Sequence, residues 1–448
     1  MPEKFVIQHE LSDTAITRFH YVVDFINAHP LKPVNFLLIV DNQSSDKDLF
    51  YGNNGGPFFT VPLDACFLEN TKTFDHFYPA PFSHSNVDFF AVNHQKINGA
   101  QFIQNNHFGF DIFNTLFFHI SRYEEYFALS PKNGQTGWLA EDHHFLIKNN
   151  LHKYPVVDHL LAAFFEIISQ KKIEKKSTYA ISHDVDILNR FTPSYKFLRS
   201  LGASLLIHRS GSQFKNNVAH YAKMISGKVK DPYDYFSTLL RREKMWEDKQ
   251  IFMMAGGKTQ YDNKYRITDS AAKKVMKMAD EAGYTVGLHP SYNAGFKSDL
   301  FTKEQKKLTS VSQQYIVDNR QHWLRWDWRI TPYLFSKNGI STDSSMGYSR
   351  YLGFRCGTGF PYRMYNFKEE NAFDWVEYPM ALMDSSAIHQ AQRTGGDLTE
   401  LLRSFLLLNK KNTHLTLNFH NSNFDPLLKT GRQLRYFYEK ELAQICFY

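Results

Sequence analysis

STYAISHDVDILNR, residues 177–190, decides how the rest of the chain is read. Tyr179, Ala180 and Ile181 form a short apolar run that closes on Asp184-Val185-Asp186. An apolar run ending in charge reads as a buried strand that stops at the rim of a site. Side chains two residues apart on a strand share a face, so both carboxylates would look into one pocket. Like charges that close repel unless a cation or a shared proton lies between them, and a metal is the common relief. A solvated loop in which Asp-x-Asp caps the next helix fits the same letters, and the motif alone does not choose between the two.

Outward from this strand toward the C-terminus, strand-like and helix-like stretches alternate. Ile251 to Ala255 reads as a strand, Ala271 to Ala282 as a helix, and Tyr284 to Leu288 as a strand running into His289. Glu304 to Asn319 is helical and leads into RQHWLRW at 320–326. Further strands are expected at Trp375 to Met380 and at Thr413 to Phe419, the last running into His420. Helix-length spacers between strands predict parallel strands with crossover helices, an α/β architecture. Asp184, Asp186, His289 and His420 all fall at strand ends, which is where barrel-like α/β folds keep their chemistry.

Toward the N-terminus, Ala15 to Asn27 reads as a helix and Val34 to Val40 as a strand. The glycine cluster at 52–57 lacks a Gly-Lys-Ser/Thr ending and reads as a turn, not a phosphate loop. Phe108 to Phe127 carries Ile112, Leu116, Phe117 and Ile120 at helical spacing, and Asp111, Arg122, Glu124 and Glu125 read as an ion-pair network. Pro155 to Ile168 predicts another apolar helix, and KKIEKK at 171–176 a solvated linker that marks a domain boundary. Beyond Asp186 a basic, helix-rich stretch runs to about Lys230 with no acid before Asp231. It reads as a charged insertion over the fold, or as a surface for an anionic membrane or carrier lipid.

A chain of 448 residues predicts two or three domains, and 43% hydrophobic residues supply a globular core. Its 40 Phe and 25 Tyr belong mostly to that core, although aromatic surfaces also suit sugar rings. A net charge of +7, with no base-reading motif, gives no case for a nucleic-acid partner. Cys66, Cys356 and Cys446 are widely separated, which supports neither a disulfide framework nor a thiolate zinc site. MPEKFVIQHE has no apolar signal-peptide core, and no stretch reaches membrane-spanning length. The expectation is a cytoplasmic protein, working in solution or with peripheral contact at the inner membrane face.

Five segments, taken in order, resemble the polysaccharide deacetylase family, the NodB-homology group. ISHDVD at 181–186 is similar to its first motif, VGLHPSYN at 286–293 to its histidine motif, and RQHWLRW to its arginine-bearing third motif. DSSMGYSRYLGFRCGTGFPY at 343–362 resembles the substrate-binding loop of a bacterial subgroup, and LNFHN at 417–421 the terminal strand-plus-histidine motif. The resemblance covers about 176–448. HISRYEEYF, within residues 1–175, resembles the N-terminal domain of unknown role that accompanies this subgroup. The resemblance implies a distorted (β/α)7-type deacetylase barrel, with a helical basic insertion at about 191–248, preceded by a smaller α/β N-terminal domain.

The implied chemistry is metal-dependent hydrolysis of an N-acetyl or O-acetyl group on a sugar or glycan precursor. The implied cofactor is a divalent metal, zinc by analogy, held by Asp186 and His289. The family's second histidine, four residues after the first, is here Asn293, a poor zinc ligand, and His322 is the candidate replacement. Asp184 would be the general base, kept ionised by Arg320 or Arg355. His420 would protonate the leaving amine, oriented by Asp384. Arg320, Tyr292, Tyr348 and Phe360 are candidate substrate contacts, and a backbone amide near Tyr292 is a candidate oxyanion donor. An acetylated sugar, a sugar nucleotide or a lipid-linked glycan are the expected substrates. The competing reading, supported by Asn293, is a catalytically degenerate glycan-binding protein on the same fold.

Overall fold

The computed structural model describes residues 3–53, 56–64, 66–69, 78–84, 87–93, 102–128, 139–192, 194–206, 210–262 and 265–448. The N-terminal part contributes β1 (Glu3–His9), β2 (Phe36–Val40), β3 (Leu49–Tyr51), β4 (Phe59–Val61), β5 (Tyr78–His84), β6 (Val87–Asn93), β7 (Ile103–Gln104) and β8 (His107–Phe108). Six of these form one sheet in the order β2-β1-β3-β4-β8-β7, while β5 and β6 pair separately. Helices Asp13–Ala28 and Val156–Ser169 accompany the sheet. The expected helix within 108–127 is two helices, Ile112–Ile120 and Tyr123–Phe127. Arg122 between them takes a left-handed φ of 55°, which no helix interior tolerates.

The C-terminal part contributes β9 (Thr178–Val185), β10 (Asp248–Met253), β11 (Thr285–Leu288), β12 (Asp318–Asn319), β13 (Thr342–Asp343), β14 (Tyr365–Asn366), β15 (Asn371–Ala372), β16 (Val376–Glu377), β17 (Met380–Met383) and β18 (His414–His420). Eight of them build one sheet in the order β16-β13-β12-β11-β10-β9-β18-β17, with every pairing parallel. The two edge strands, β16 and β17, are consecutive and separated only by Tyr378 and Pro379. Seven interstrand gaps of about 4.8 Å would hold the edges of a flat sheet roughly 34 Å apart. Three residue steps from Glu377 to Met380 reach about 11 Å at most. The sheet must therefore curl until its edges nearly meet, which turns the C-terminal ends of its strands toward a common mouth.

Helix boundaries shift where local chemistry overrides apolar spacing. The helix expected from Glu304 to Asn319 spans Ser298–Ser312 and stops at Gln313, which has a left-handed φ of 59°. The strand expected at Trp375 to Met380 is split into β16 and β17 at Pro379, which has no N–H to give to a ladder. One apolar core runs through both parts, from Ile7, Phe19 and Phe113 to Val185, Ile251 and Trp375. Tyr21 packs on Tyr365 at 4.8 Å between ring centroids, and Phe117 on the same ring at 5.1 Å. Arg18 clamps Glu370 at 2.7 Å. Segment 343–362, expected as a substrate loop, is largely buried and holds the N-terminal part: Ser349 N–H donates to Glu141, and Phe354 N–H to the His152 carbonyl. Gly353, at φ +149°, lies so close to that carbonyl that a Cβ would sit 2.1 Å from it.

Candidate metal centre

The site is assembled from the C-terminal ends of neighbouring strands. β9 supplies Asp184 and, one residue beyond its end, Asp186; β11 is followed directly by His289, and β12 by Arg320 and His322. β17 is followed directly by Asp384, and β18 ends in His420. Strand β9 is buried from Ala180 to Val185, so Asp184 is delivered into the interior, while Asp186 just beyond the strand stays half-buried at its rim.

One ligand atom each from Asp186, His289 and His322 lies within 4.8 Å of the others. Asp186 Oδ1 is 3.4 Å from His289 Nε2 and 3.8 Å from His322 Nε2. His289 Nδ1 is 2.7 Å from the Arg320 carbonyl oxygen, which can only accept. That contact puts the ring proton on Nδ1 and leaves the Nε2 lone pair facing the carboxylate. Two acceptors facing each other call for a cation between them. Asp186 Oδ1 is buried with no hydrogen-bond partner among the described residues, as a ligand oxygen awaiting an ion would be. The three donors fit a divalent ion, with Asp-His-His leaving a position open for water. Burial and the neighbouring His289 bring the His322 pKa down to about 4, so its imidazole is neutral and ligand-ready.

Asp184 lies beside this trio but is held by a different group. Burial would raise its pKa, yet Arg320, then His289 and His420, outweigh it and keep the carboxyl low. Arg320 is fully buried and donates from one guanidinium nitrogen to Asp184 Oδ1 at 3.0 Å, Ser182 Oγ at 2.8 Å and Asn418 Oδ1 at 2.7 Å. Its other two nitrogens are tied to Ser344, and the guanidinium stacks 4.3 Å from the centre of the Phe252 ring. Asn418 donates to the second Asp184 oxygen at 2.9 Å. His420 Nε2 is 3.8 Å from an oxygen of Asp184 and 3.8 Å from one of Asp186. Its Nδ1 meets Asp384 Oδ1 at 2.7 Å, and its backbone N–H donates to Asp384 Oδ2 at 2.8 Å. Burial alone would depress His420, but Asp384 lifts its pKa to about 10.

The structure thus brings together Asp184, Asp186, His289, His322, Arg320, His420 and Asp384. Of the remaining candidates, Arg355, Tyr348 and Phe360 lie elsewhere, while the Tyr292 ring packs on Tyr261, which meets Trp323 beside His322. Arg355 pairs with Glu125 at 2.7 Å, inside the network that HISRYEEYF forms, and Arg320 is the arginine on Asp184. Arg320 has no exposed surface to offer a substrate. The Tyr292 backbone N–H, a candidate oxyanion donor, is taken by Asp262 at 2.7 Å. Tyr348 is buried against His144 and His152. Phe360 packs on His29 and on His414, which begins β18, six residues and roughly 20 Å of strand from His420. Asn293 is exposed, and His322 is the third group that lies with Asp186 and His289. Ser182, Asn418 and Ser344 escaped the sequence reading. The first two were available from strand periodicity, since Ser182 shares a face with Asp184 and Asn418 with His420.

A family model described as a family of unknown function (DUF7033) matches residues 9–173. No curated protein matches the chain. Among solved structures, the chain is similar to a crystal structure named as that of a "putative polysaccharide deacetylase" from Mycobacterium smegmatis, at 16% identity and a TM-score of 0.36, over 61% of this chain and 85% of that one. It is also similar to a 4-alpha-glucanotransferase from Thermococcus litoralis, at 7% identity and a TM-score of 0.35, over 59% of this chain and 36% of that one.

Proposed function

We propose that the chain is a metal-dependent carbohydrate deacetylase that hydrolyses an N-acetyl or O-acetyl group on a sugar or a lipid-linked glycan. The observation that carries this reading is the pairing of a buried Asp-His-His donor set with two further groups in opposite protonation states. Asp184 is kept ionised by Arg320, and His420 is kept protonated by Asp384. Two titratable groups pushed apart in this way are a base and an acid held ready side by side. The motif order from ISHDVD to LNFHN supports the same class. The eight-stranded parallel sheet, curled until its edge strands β16 and β17 nearly meet, supports the barrel-like fold that the resemblance implies.

Asp186, His289 and His322 would hold a divalent ion, zinc by ligand type, which would supply Lewis acidity to the acyl oxygen and to water when bound. Asp184 takes a proton from water as its oxygen adds to the acyl carbon. His420 gives its Nε2 proton to the departing nitrogen or oxygen as the bond to carbon breaks, releasing acetate and the deacetylated sugar. Asp384 fixes the ring of His420 through Nδ1, and Arg320 holds Asp184 in place from behind. The test is acetate release from N-acetylated oligosaccharides by the zinc-loaded protein, with Asp184→Asn as the control. Turnover by the parent and none by the variant supports the reading. Metal-loaded protein that binds such glycans and releases no acetate overturns it in favour of a binding protein.

A further inference from the structure

The 40 residues from Phe191 to Lys230 hold seven Lys+Arg and no Asp or Glu. Taking those seven from the chain's 52 leaves 45, equal to its 45 Asp+Glu, so the whole formal charge of +7 resides in this segment. The segment folds as two helices, Ser194–Leu206 and Gly211–Ile225, packed against each other. Their polarity is inverted. The only buried residues of the two helices are Ser204 and Asn217, and Asn217 donates to Ser204 Oγ at 2.9 Å and to Ser200 Oγ at 3.2 Å. Leu198, Leu206 and Ile225 are 66%, 81% and 68% exposed, and Tyr195, Leu205 and Val218 are exposed beside them. Apart from the Phe197–Tyr221 ring stack that joins the helices at 3.7 Å between centroids, the large apolar side chains of the hairpin face water, and exposed apolar groups in such number mark an interaction surface.

The hairpin is rooted firmly at the mouth of the barrel. The two carboxylate oxygens of Asp231 accept the N–H groups of Arg190 and Phe191, at 2.7 and 2.9 Å, closing the base of the excursion. The Arg190 guanidinium pairs with Asp425 and donates to Asn217. Arg190 lies four residues past Asp186 and Asp425 five past His420, so the hairpin stands on the same rim as the candidate metal centre.

We propose that this hairpin docks the protein on an anionic lipid surface. Its exposed leucines and Ile225 would enter the headgroup boundary, and its lysines would meet lipid phosphates. A nucleic acid would satisfy the charge but leave the apolar residues in water. The docking is independent of the hydrolytic reading, because a sugar-free membrane suffices to observe it. The test is flotation of the full chain with phosphatidylcholine vesicles, with and without phosphatidylglycerol. Binding is expected to be at least about tenfold stronger with the anionic lipid and to fall as salt rises. The triple variant L198S/L206S/I225S is expected to lose at least about tenfold of that binding while keeping its helix content and urea midpoint, since these side chains are exposed. Absence of binding to anionic vesicles at low salt, or equal binding by the triple variant, overturns the proposal. So does a dimer in analytical ultracentrifugation that the same substitutions dissociate, because the apolar face would then belong to a second copy.

Discussion

Asp184 and Asp186 are separated by one residue and perform different tasks because their partners differ. Asp184 is enclosed by Arg320 and Asn418, whereas one oxygen of Asp186 faces two imidazoles. Asp184→Asn is expected to keep the metal and the fold while lowering acetate release by about 10²–10⁴-fold, the range of a lost general base. Elemental analysis beside a turnover assay checks this, and loss of metal together with activity would move Asp184 into the ligand set. Asp384→Asn removes the charge that lifts His420. The histidine then deprotonates at lower pH, so the basic limb of the rate profile should move down; a profile that merely drops in height would leave Asp384 no role in the proton step. These residues were legible because each stands at the end of an apolar run. Arg355 was misplaced because an arginine's charge says nothing about which of several acids it will reach. That choice is fixed by Glu125, 230 positions away in the chain.

At the scale of elements, the site depends on layers behind it. Gly287 in β11 leaves room for the Phe252 ring of β10, which a Cβ there would meet at 2.5 Å, and Phe252 carries the Arg320 guanidinium. Gly287→Ala should therefore displace the ring, cost about 1–3 kcal/mol of stability as overpacking does, and depress turnover more than it depresses metal content. Unchanged turnover would show that the Arg320 stack is dispensable. In the N-terminal part, Glu125 joins Arg122 at 2.6 Å and Arg355 at 2.7 Å, both buried. Glu125→Gln leaves the buried Arg355 without its anion and Arg122 with only Glu124 at 3.2 Å, and a loss of about 3–5 kcal/mol in urea unfolding is expected. The alternation of strands and helices was legible because apolar runs and spacer lengths are local signals. The split at Pro379 follows from that residue's missing N–H and could have been read locally, whereas the break at Arg122 was not legible, since it depends on what the chain meets in three dimensions. The same holds for segment 343–362, whose aromatic residues look like sugar platforms in sequence and are instead packed under the N-terminal part.

For the molecule as a whole, acid should unfold the chain through its buried histidines. Burial lowers His119 and His144 to about 3 and His152 and His414 to about 4. The unfolded chain binds those protons near pH 6.5 and the folded one does not, so stability is lost as pH falls from there toward 4. Glu124, raised to about 7 by burial, works in the opposite sense above pH 4.5, and so do the other carboxyls that burial raises, Glu243, Glu304, Asp343 and Glu377 among them. Each ring is therefore read by difference: His144→Gln should weaken the fall in urea unfolding free energy between pH 6.5 and 4.5 by about 1.4 kcal/mol per pH unit, and an unchanged slope would mean that this ring is protonated inside the fold. Curling of the eight-stranded sheet is what brings Asp186, His289 and His322 from three strand ends to one point, and the divalent ion they would hold is the basis of the proposed chemistry. Its direct measurement is the metal content of the purified full chain after zinc loading and dialysis, compared with His289→Ala and His322→Ala. One equivalent in the parent, lost from both variants, is the predicted result. A parent that retains no metal, or a His322→Ala variant that retains the full equivalent, would contradict the account.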